Sequence, residues 1–391
     1  MRAIVVGAGI GGLAATLSLR RAGHEVTILE QTPQFSEVGA GIQLAPNATR
    51  ELRRLGLLDA VAAQSARPAA VSLRTWSDGT EICGYALGRQ VEDEFGAPYL
   101  QVHRADLRDA LAAAVPEGWV RLNTLVVGID QDDRTAYVTT ASGERLGADL
   151  VVAADGIRSA ARQWLFGADG AVFSGTAAYR ALLPVDEVAD LRLPDTGVWL
   201  GPGRHFVHYR VRRGELLNVV AVFGTETAAQ ESWTAQAAPG EQLRAFEGWD
   251  FRVRSVLERA GRVFRWSIYT RTPLPRWHSG RVTLLGDSAH AMVPFQAQGA
   301  AQAVLDAAVL GDCLTEAGAG DVPDALDRYV RRRLAAATSM QARSARAGDE
   351  FHLPDGPEAE ARNARMAAYA AEHRFMPVAA EWGVDVVDEH S

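Results

Sequence analysis

Gly7, Gly9 and Gly12 stand in G-x-G-x-x-G spacing within GAGIGG, and Glu30 follows 18 residues after the last of them. A ligand carrying a pyrophosphate needs this set. The first glycine permits a tight turn, the second lets backbone approach the phosphates, and the third lets a helix pack on its sheet. An acid at that distance can accept hydrogen bonds from ribose hydroxyls. It also disfavours a ribose 2′-phosphate, so the pattern points to FAD or NAD rather than NADP.

A second candidate lies in LLGDSAHAMVPFQAQGAAQA, residues 284–303. Asp287 ends an apolar run, and a loop with Phe295 and Gln296 leads to a helix start free of acids. Gln298, Gly299, Ala300 and Ala301 leave the first amides bare, which suits a ligand's negative charge. The stretch VGAGIQLAPNATREL, residues 38–52, adds Gly39 and Gly41, which allow close backbone approach, and Pro46-Asn47 as a helix start.

The third group lies in residues 198–223, three strand-like runs separated by glycine-containing turns, hence an antiparallel meander. Period-two alternation puts His205, Val207, Tyr209 and Val211 on one face and Phe206, His208, Arg210 and Arg212 on the other. The charged face is expected to be the wetter one, leaving His205 and Tyr209 as the pocket candidates. His205 would serve as a base and Tyr209 as an aromatic wall with a polar tip. Arg180, in AYRALLP, either anchors a substrate carboxylate or supports a strand beside the cofactor.

These residues need elements to hold them. Ala3-Ile4-Val5-Val6 and Leu150-Val151-Val152-Ala153-Ala154 are continuous apolar runs of the kind a sheet buried on both faces requires, and RVTLLGD, residues 281–287, is a third. A helical pattern through Leu13, Leu17 and Leu19 ends at Ala22-Gly23, and EVTILE supplies the next strand. A helix is expected from Asp324 to Phe351, with Arg331, Arg332 and Arg333 as a solvated face. After Pro354 come one or two polar helices and a mobile acidic tail. The 391 residues suffice for two or three domains and a large core. A net charge of −8 offers no basic stripe for nucleic acid or an anionic membrane. Cys83 and Cys313 alone support neither a disulfide framework nor a metal site, and no leader or membrane span is read at the N-terminus. A cytoplasmic setting is expected.

The order GxGxxG, then DGxxSxxR (DGIRSAAR, 155–162), then GD at three strand ends resembles the single-component FAD-dependent aromatic hydroxylases of the p-hydroxybenzoate hydroxylase fold. The resemblance covers nearly the whole chain, extending to QVHRADLRDAL (101–111), YRALLP, GPGRHFVHYRV and HLPDGPEAEARN. It is nearest to the salicylate, 3-hydroxybenzoate and 6-hydroxynicotinate hydroxylases. It implies an α/β chain: a Rossmann-type FAD-binding domain (1–70, 100–175, 275–350), an inserted antiparallel-sheet substrate domain (71–99, 176–274) and a C-terminal helical tail (351–391). FAD would meet Gly7, Gly9, Gly12, Glu30, Gly41, Arg104, Asp155, Asp287, Gly299, Ala300 and Ala301. Asp287 would hold a ribityl hydroxyl, and the helix after it would face the flavin N1–C2=O edge.

The implied reaction hydroxylates a small phenolic or carboxylate-bearing aromatic. NADH or NADPH, bound transiently, reduces the flavin, and O₂ then forms a C4a-hydroperoxide. His205, Tyr209, Arg180 and Gln296 would line the substrate side. Phe295 stands where salicylate hydroxylases often carry a histidine, which moves the base role to His205. A histidine base at its ordinary pKa implies a rate rising through roughly pH 6–7. Gln31 replaces a common Arg or Lys, and Leu305 a common acid. A flavin oxidase or dehydrogenase and a non-catalytic flavin carrier are the alternatives, and monomer and homodimer are both compatible with the chain.

Overall fold

The computed structural model describes residues 1–35, 40–167, 170–228 and 235–387; Gly39 and the final acidic residues lie outside these. The apolar runs form one parallel sheet. Arg2–Val6 lies between Glu25–Leu29 and Leu150–Ala153, in register Val5↔Ile28 and Val5↔Val152. Leu150–Ala153 pairs in turn with Val282–Leu284. All three glycine- or aspartate-bearing strand ends therefore emerge at the same edge of the sheet. That edge is where doubly wound folds bind ligands.

The Ile10–Arg21 and Gly299–Leu314 helices cover this sheet and pack directly on each other. Gly311 makes the contact possible, because a Cβ there would sit 2.8 Å from Ser18 Cβ.

A second sheet of seven strands runs Phe264–Thr270, Val172–Pro184, Leu216–Gly224, Arg204–Val211, Thr196–Gly201, Ala70–Thr75, Glu81–Ala86. The meander is present, with its three strands antiparallel. Thr196–Gly201 pairs in parallel with Ala70–Thr75, so the sheet is mixed rather than wholly antiparallel.

The two faces of Arg204–Val211 divide as the alternation requires, but the far face is not wet. The Phe251–Arg259 helix covers it, and Phe206, Trp199, Val253 and Leu257 form a core there. His208 is fully buried against Trp199 and Phe206. The arginines at the two ends of that face and Arg210 reach solvent, while Phe206 and His208 between them are buried.

The long helix is Val322–Phe351. Arg331 is exposed, but Arg333 is buried and salt-bridged to Asp306, so the arginine run is not a solvated face. The chain continues through the Pro357–Glu372 helix, which lies along the Glu81–Ala86 strand, and places Trp382 in a core with Phe95 and Tyr99. No described helix is long and apolar enough to cross a membrane.

Candidate active site

A cavity of about 900 Å³ runs from the glycine turn, between the two sheets, to the Pro357–Glu372 helix. That is at the upper end of the range for small-molecule sites. Gly7 (φ +99°) and Gly12 pack the turn beneath it and do not themselves line it: a Cβ at Gly7 would lie 2.5 Å from the Ala154 carbonyl oxygen, and one at Gly12 only 2.0 Å from that of Gly7. At Gly9 the space is open, with no atom within 4 Å, so backbone there faces the cavity bare. Glu30 braces the turn. Its Oε2 accepts the Ala8 N–H at 2.8 Å, and its Oε1 accepts the Thr32 amide and hydroxyl, both at 2.9 Å.

Beyond Val282–Leu284, Gly286 (φ +66°) turns the chain and Asp287 opens onto the cavity. Surrounding protein raises the carboxyl pKa, against the pull of His290 and Arg104. Burial likewise lowers that of Arg104, which Asp287 opposes. The Gly299–Leu314 helix has neither a side-chain cap nor an acid in its first turn. Its first internal bond runs from Gln302 N–H to Gln298 C=O, at 2.8 Å, so the amides of Gly299, Ala300 and Ala301 have no helix partner. Gly299 and Ala300 line the cavity, whereas the Ala301 methyl sits in the core and offers only its amide to the helix end.

Two expected cofactor residues are placed differently. Asp155 turns away from the cavity: its Oδ2 accepts the Ala161 N–H at 3.1 Å at the start of the Ala160–Phe166 helix, and burial raises its pKa. The flanking Ala154 and Gly156 form the wall instead. Gly41 lines the cavity but is a glycine for another reason. Its N–H donates to Asn218 Oδ1 at 2.7 Å, and a Cβ would lie 2.5 Å from a ring carbon of Tyr209. The close approach it permits is to the second sheet.

Beneath the loop between Gly286 and Gln298 lies a buried polar chain that the sequence reading missed. Asp306 accepts from Gly286 N–H (3.0 Å) and Arg333 Nε (2.7 Å) and bonds His290 Nε2 (2.5 Å). Arg333 also donates to Gln302, which donates to Gln298. Arg162, the last residue of DGIRSAAR, is fully buried and donates to the carbonyls of Ala289 and Thr272. Its place in the motif was the available signal.

On the substrate side His205, Val207, Tyr209, Arg180, Trp266 and Gln296 all reach the cavity. The Arg180 guanidinium lies over Trp266, 4.3 Å from the ring centre. Burial lowers its pKa, against the pull of Tyr209, while burial raises that of Tyr209. Phe295 is a wedge in the wall: a Cβ at Gly348 would be 2.6 Å from its ring, and its edge meets His205 at 5.0 Å. His205 Nδ1 lies 2.7 Å from Nε2 of His352, another residue the sequence reading missed. Burial, then His352, holds the His205 pKa well below its usual value. Tyr99, bonded to Gln43, and Met366, Tyr369 and Met376 complete the far end.

The open side positions of Gly9 and Gly299, the bare helix amides and an Asp287 carboxylate turned into the cavity fit FAD. Fold and site together define a flavin-dependent oxidoreductase. The family model for the FAD binding domain matches residues 1–344. The chain is 39% identical to the 3-amino-4-hydroxybenzoate 2-monooxygenase PtmB3 of Streptomyces platensis over 366 residues, 93% of this chain and 92% of that one. It is 35% identical to the 6-hydroxynicotinate 3-monooxygenase of Bordetella bronchiseptica, over 87% and 89% of the two chains. The structure of Klebsiella pneumoniae HpxO complexed with FAD and uric acid superposes with a TM-score of 0.86 at 25% identity, covering 95% and 94%. The chain belongs to the FAD-dependent aromatic monooxygenase family.

Proposed function

We propose that this enzyme uses NADH or NADPH and O₂ to hydroxylate a small phenolic aromatic acid. The observation that carries the reading is the single cavity joining Asp287 and the bare Gly299 helix end to His205, Tyr209 and Arg180. FAD, when bound and reduced, supplies the activated oxygen; the chain's own residues supply positioning and proton handling.

Arg180 is a cation on the cavity wall with no ion pair among the described residues, and it would take the substrate carboxylate. Tyr209 and Gln296 would orient the ring. His205 Nε2 would accept the substrate's hydroxyl proton, which pushes electron density into the ring and makes it the better nucleophile. Val71, Leu73, Val220 and Val222 line the same space and keep water out. Asp287 and the amides of Gly299 to Ala301 would hold the flavin and favour negative charge on it. Glu30 and the glycine turn would hold the adenosine half.

The relatives bear names of acids that carry a hydroxyl on the ring, so the test uses 3-amino-4-hydroxybenzoate, 6-hydroxynicotinate and 3-hydroxybenzoate. Aerobic NADH and NADPH consumption is followed with each, together with product. A hydroxylase consumes reduced nicotinamide faster with substrate and yields hydroxylated product. Flavin reduction by substrate alone would mean an oxidase, and neither response would mean a carrier.

A further inference from the structure

We propose that His205 and His352 form a proton relay that carries the substrate's hydroxyl proton out of the cavity, with His352 as its outlet. The proposal rests on the reading of His205 as the base. His205 Nδ1 and His352 Nε2 are 2.7 Å apart, and the two rings are stacked at 29° with centres 4.9 Å apart. Phe295 sets its edge against both rings and Phe351 against His205, so the pair is walled off laterally. His205 is 2% exposed and lines the cavity, while His352 is only partly buried. The pair thus spans from cavity toward surface.

Two neutral imidazoles bond only if one donates N–H and the other accepts. When His205 donates from Nδ1, its Nε2 is a bare acceptor, and no described group bonds to it. The substrate hydroxyl gives its proton to Nε2 while the Nδ1 proton passes to Nε2 of His352. His205 ends neutral with its proton on the other nitrogen, the substrate is left as the phenolate, and His352 is the cation. His352 then releases its Nδ1 proton to water. No electrons change hands and the proton is fully accounted for.

The setting explains why a relay is needed. A lone imidazole boxed in by Phe295 and Phe351 would have to hold a charge far from water, which burial disfavours. Burial lowers the His352 pKa to about 4 against the pull of Asp349, so His352 carries the proton only in passing. Its place immediately after the Val322–Phe351 helix, where the dipole favours a cation, and its partial exposure let it hand that proton on to water. Its carbonyl accepts the Gly203 N–H at 3.0 Å, fixing it to the turn that leads into His205's strand.

The test measures product formation by the FAD-loaded enzyme with whichever of the three acids the parent turns over. Parent, His352→Phe, His352→Gln and His205→Gln are compared at rising imidazole buffer concentration. His352→Phe, which keeps the aromatic packing, should be slowed ~10²-fold, at the low end for general-base effects. It should recover as imidazole rises, with His352→Gln behaving alike, while the parent is insensitive to buffer. His205→Gln should be slower still and should not recover. If His352→Phe keeps the parent rate while His205→Gln is impaired, the relay is overturned and the base stands. A slow His352→Phe that ignores imidazole also overturns it, as a packing effect. A His205→Gln that matches the parent, or a parent that turns over none of the acids, removes the underlying reading and the relay with it.

Discussion

Arg333 donates from Nε to Asp306 Oδ1 at 2.7 Å, and both side chains are closed to solvent. The pair ties the Val322–Phe351 helix to the Gly299–Leu314 helix directly under the loop that carries Asp287. Burial alone would raise the Asp306 carboxyl, but His290, then Arg333, outweigh it and hold the pKa down to about 2. Asp306→Ala should cost ~3–5 kcal/mol, because it strands the guanidinium. It should also loosen FAD, since Gly286 N–H loses its acceptor next to Asp287. Asp306→Asn, which can still accept from Gly286, should retain more flavin at similar stability loss. Urea midpoints and FAD titration check both. The sign in acid follows from the lowered value: this stabilisation is present above the ordinary carboxyl pKa near 3.9 and is lost as pH falls through about 2.

Glu30→Ala should weaken FAD about five- to 150-fold, equivalent to ~1–3 kcal/mol of lost hydrogen bonding. Part of the loss comes from freeing the Ala8 amide in the glycine turn. FAD dissociation followed by fluorescence measures it. Affinity equal to the parent's would remove Glu30 from the adenosine side of the site.

Asp287→Ala should lose flavin or leave it unreducible, while the apoprotein's melting point stays near the parent's. The carboxylate opens onto the cavity and bonds to no described group, and the surrounding protein raises its pKa, so the fold gives up nothing by its removal. Full occupancy with a normal reduction rate would exclude the role.

His208 offers a contrast within the same strand. Its two ring nitrogens are buried with no partner among the described residues, and burial, then Arg210 and Arg74, lower its pKa to about 3. His208→Leu should be neutral to ~1–3 kcal/mol more stable, because it removes an unsatisfied polar ring. The folded imidazole resists a proton that the unfolded one accepts, so the parent loses stability as pH falls from 6.5 toward about 3. The variant should show a shallower decline. Denaturation at pH 5 and pH 8 gives the comparison, and a variant less stable at both would mean that the ring is hydrogen-bonded after all.

What was legible in the sequence follows from how local each signal is. Gly7 and Gly12 are dictated by contacts within one strand-turn-helix unit, and Val5 and Val152 by burial on both faces of a sheet. Strand alternation likewise separates His205 from His208. It carries no information on what covers the far face, and the Phe251–Arg259 helix arrives there from 40 residues on. Arg333 shows the same limit: a charged run reads as solvated until Asp306, 27 residues away, faces it. Met366 belongs to a segment whose pattern is polar, and only its docking against Glu81–Ala86 brings it to the cavity, while His352 meets His205 only because the end of the Val322–Phe351 helix is tied to the Gly203 turn.

The pH profile of hydroxylation tests His205 in its actual surroundings. A base acts in its deprotonated form, so the rate falls where His205 takes up a proton. At an ordinary histidine value the fall would lie near pH 6–7, as the sequence alone suggests. The structure moves it. Burial between Phe295 and Phe351, then the neighbouring His352, lowers the His205 pKa well below that value. His352 itself is lowered to about 4, by burial against the opposing pull of Asp349. The neutral base therefore persists to lower pH than an ordinary histidine's would, and the hydroxylation rate should stay flat from pH 8 down through pH 6. The decline should begin only in more acid solution, where loss of fold must be separated from loss of base by refolding controls. His205→Gln should lower the plateau by ~10²–10⁴-fold, the span of general-base effects, and remove the acid limb. A limb at pH 6–7 in the parent would place His205 in water rather than in this aromatic box. A plateau unchanged by His205→Gln would assign the substrate's ionisation to another group.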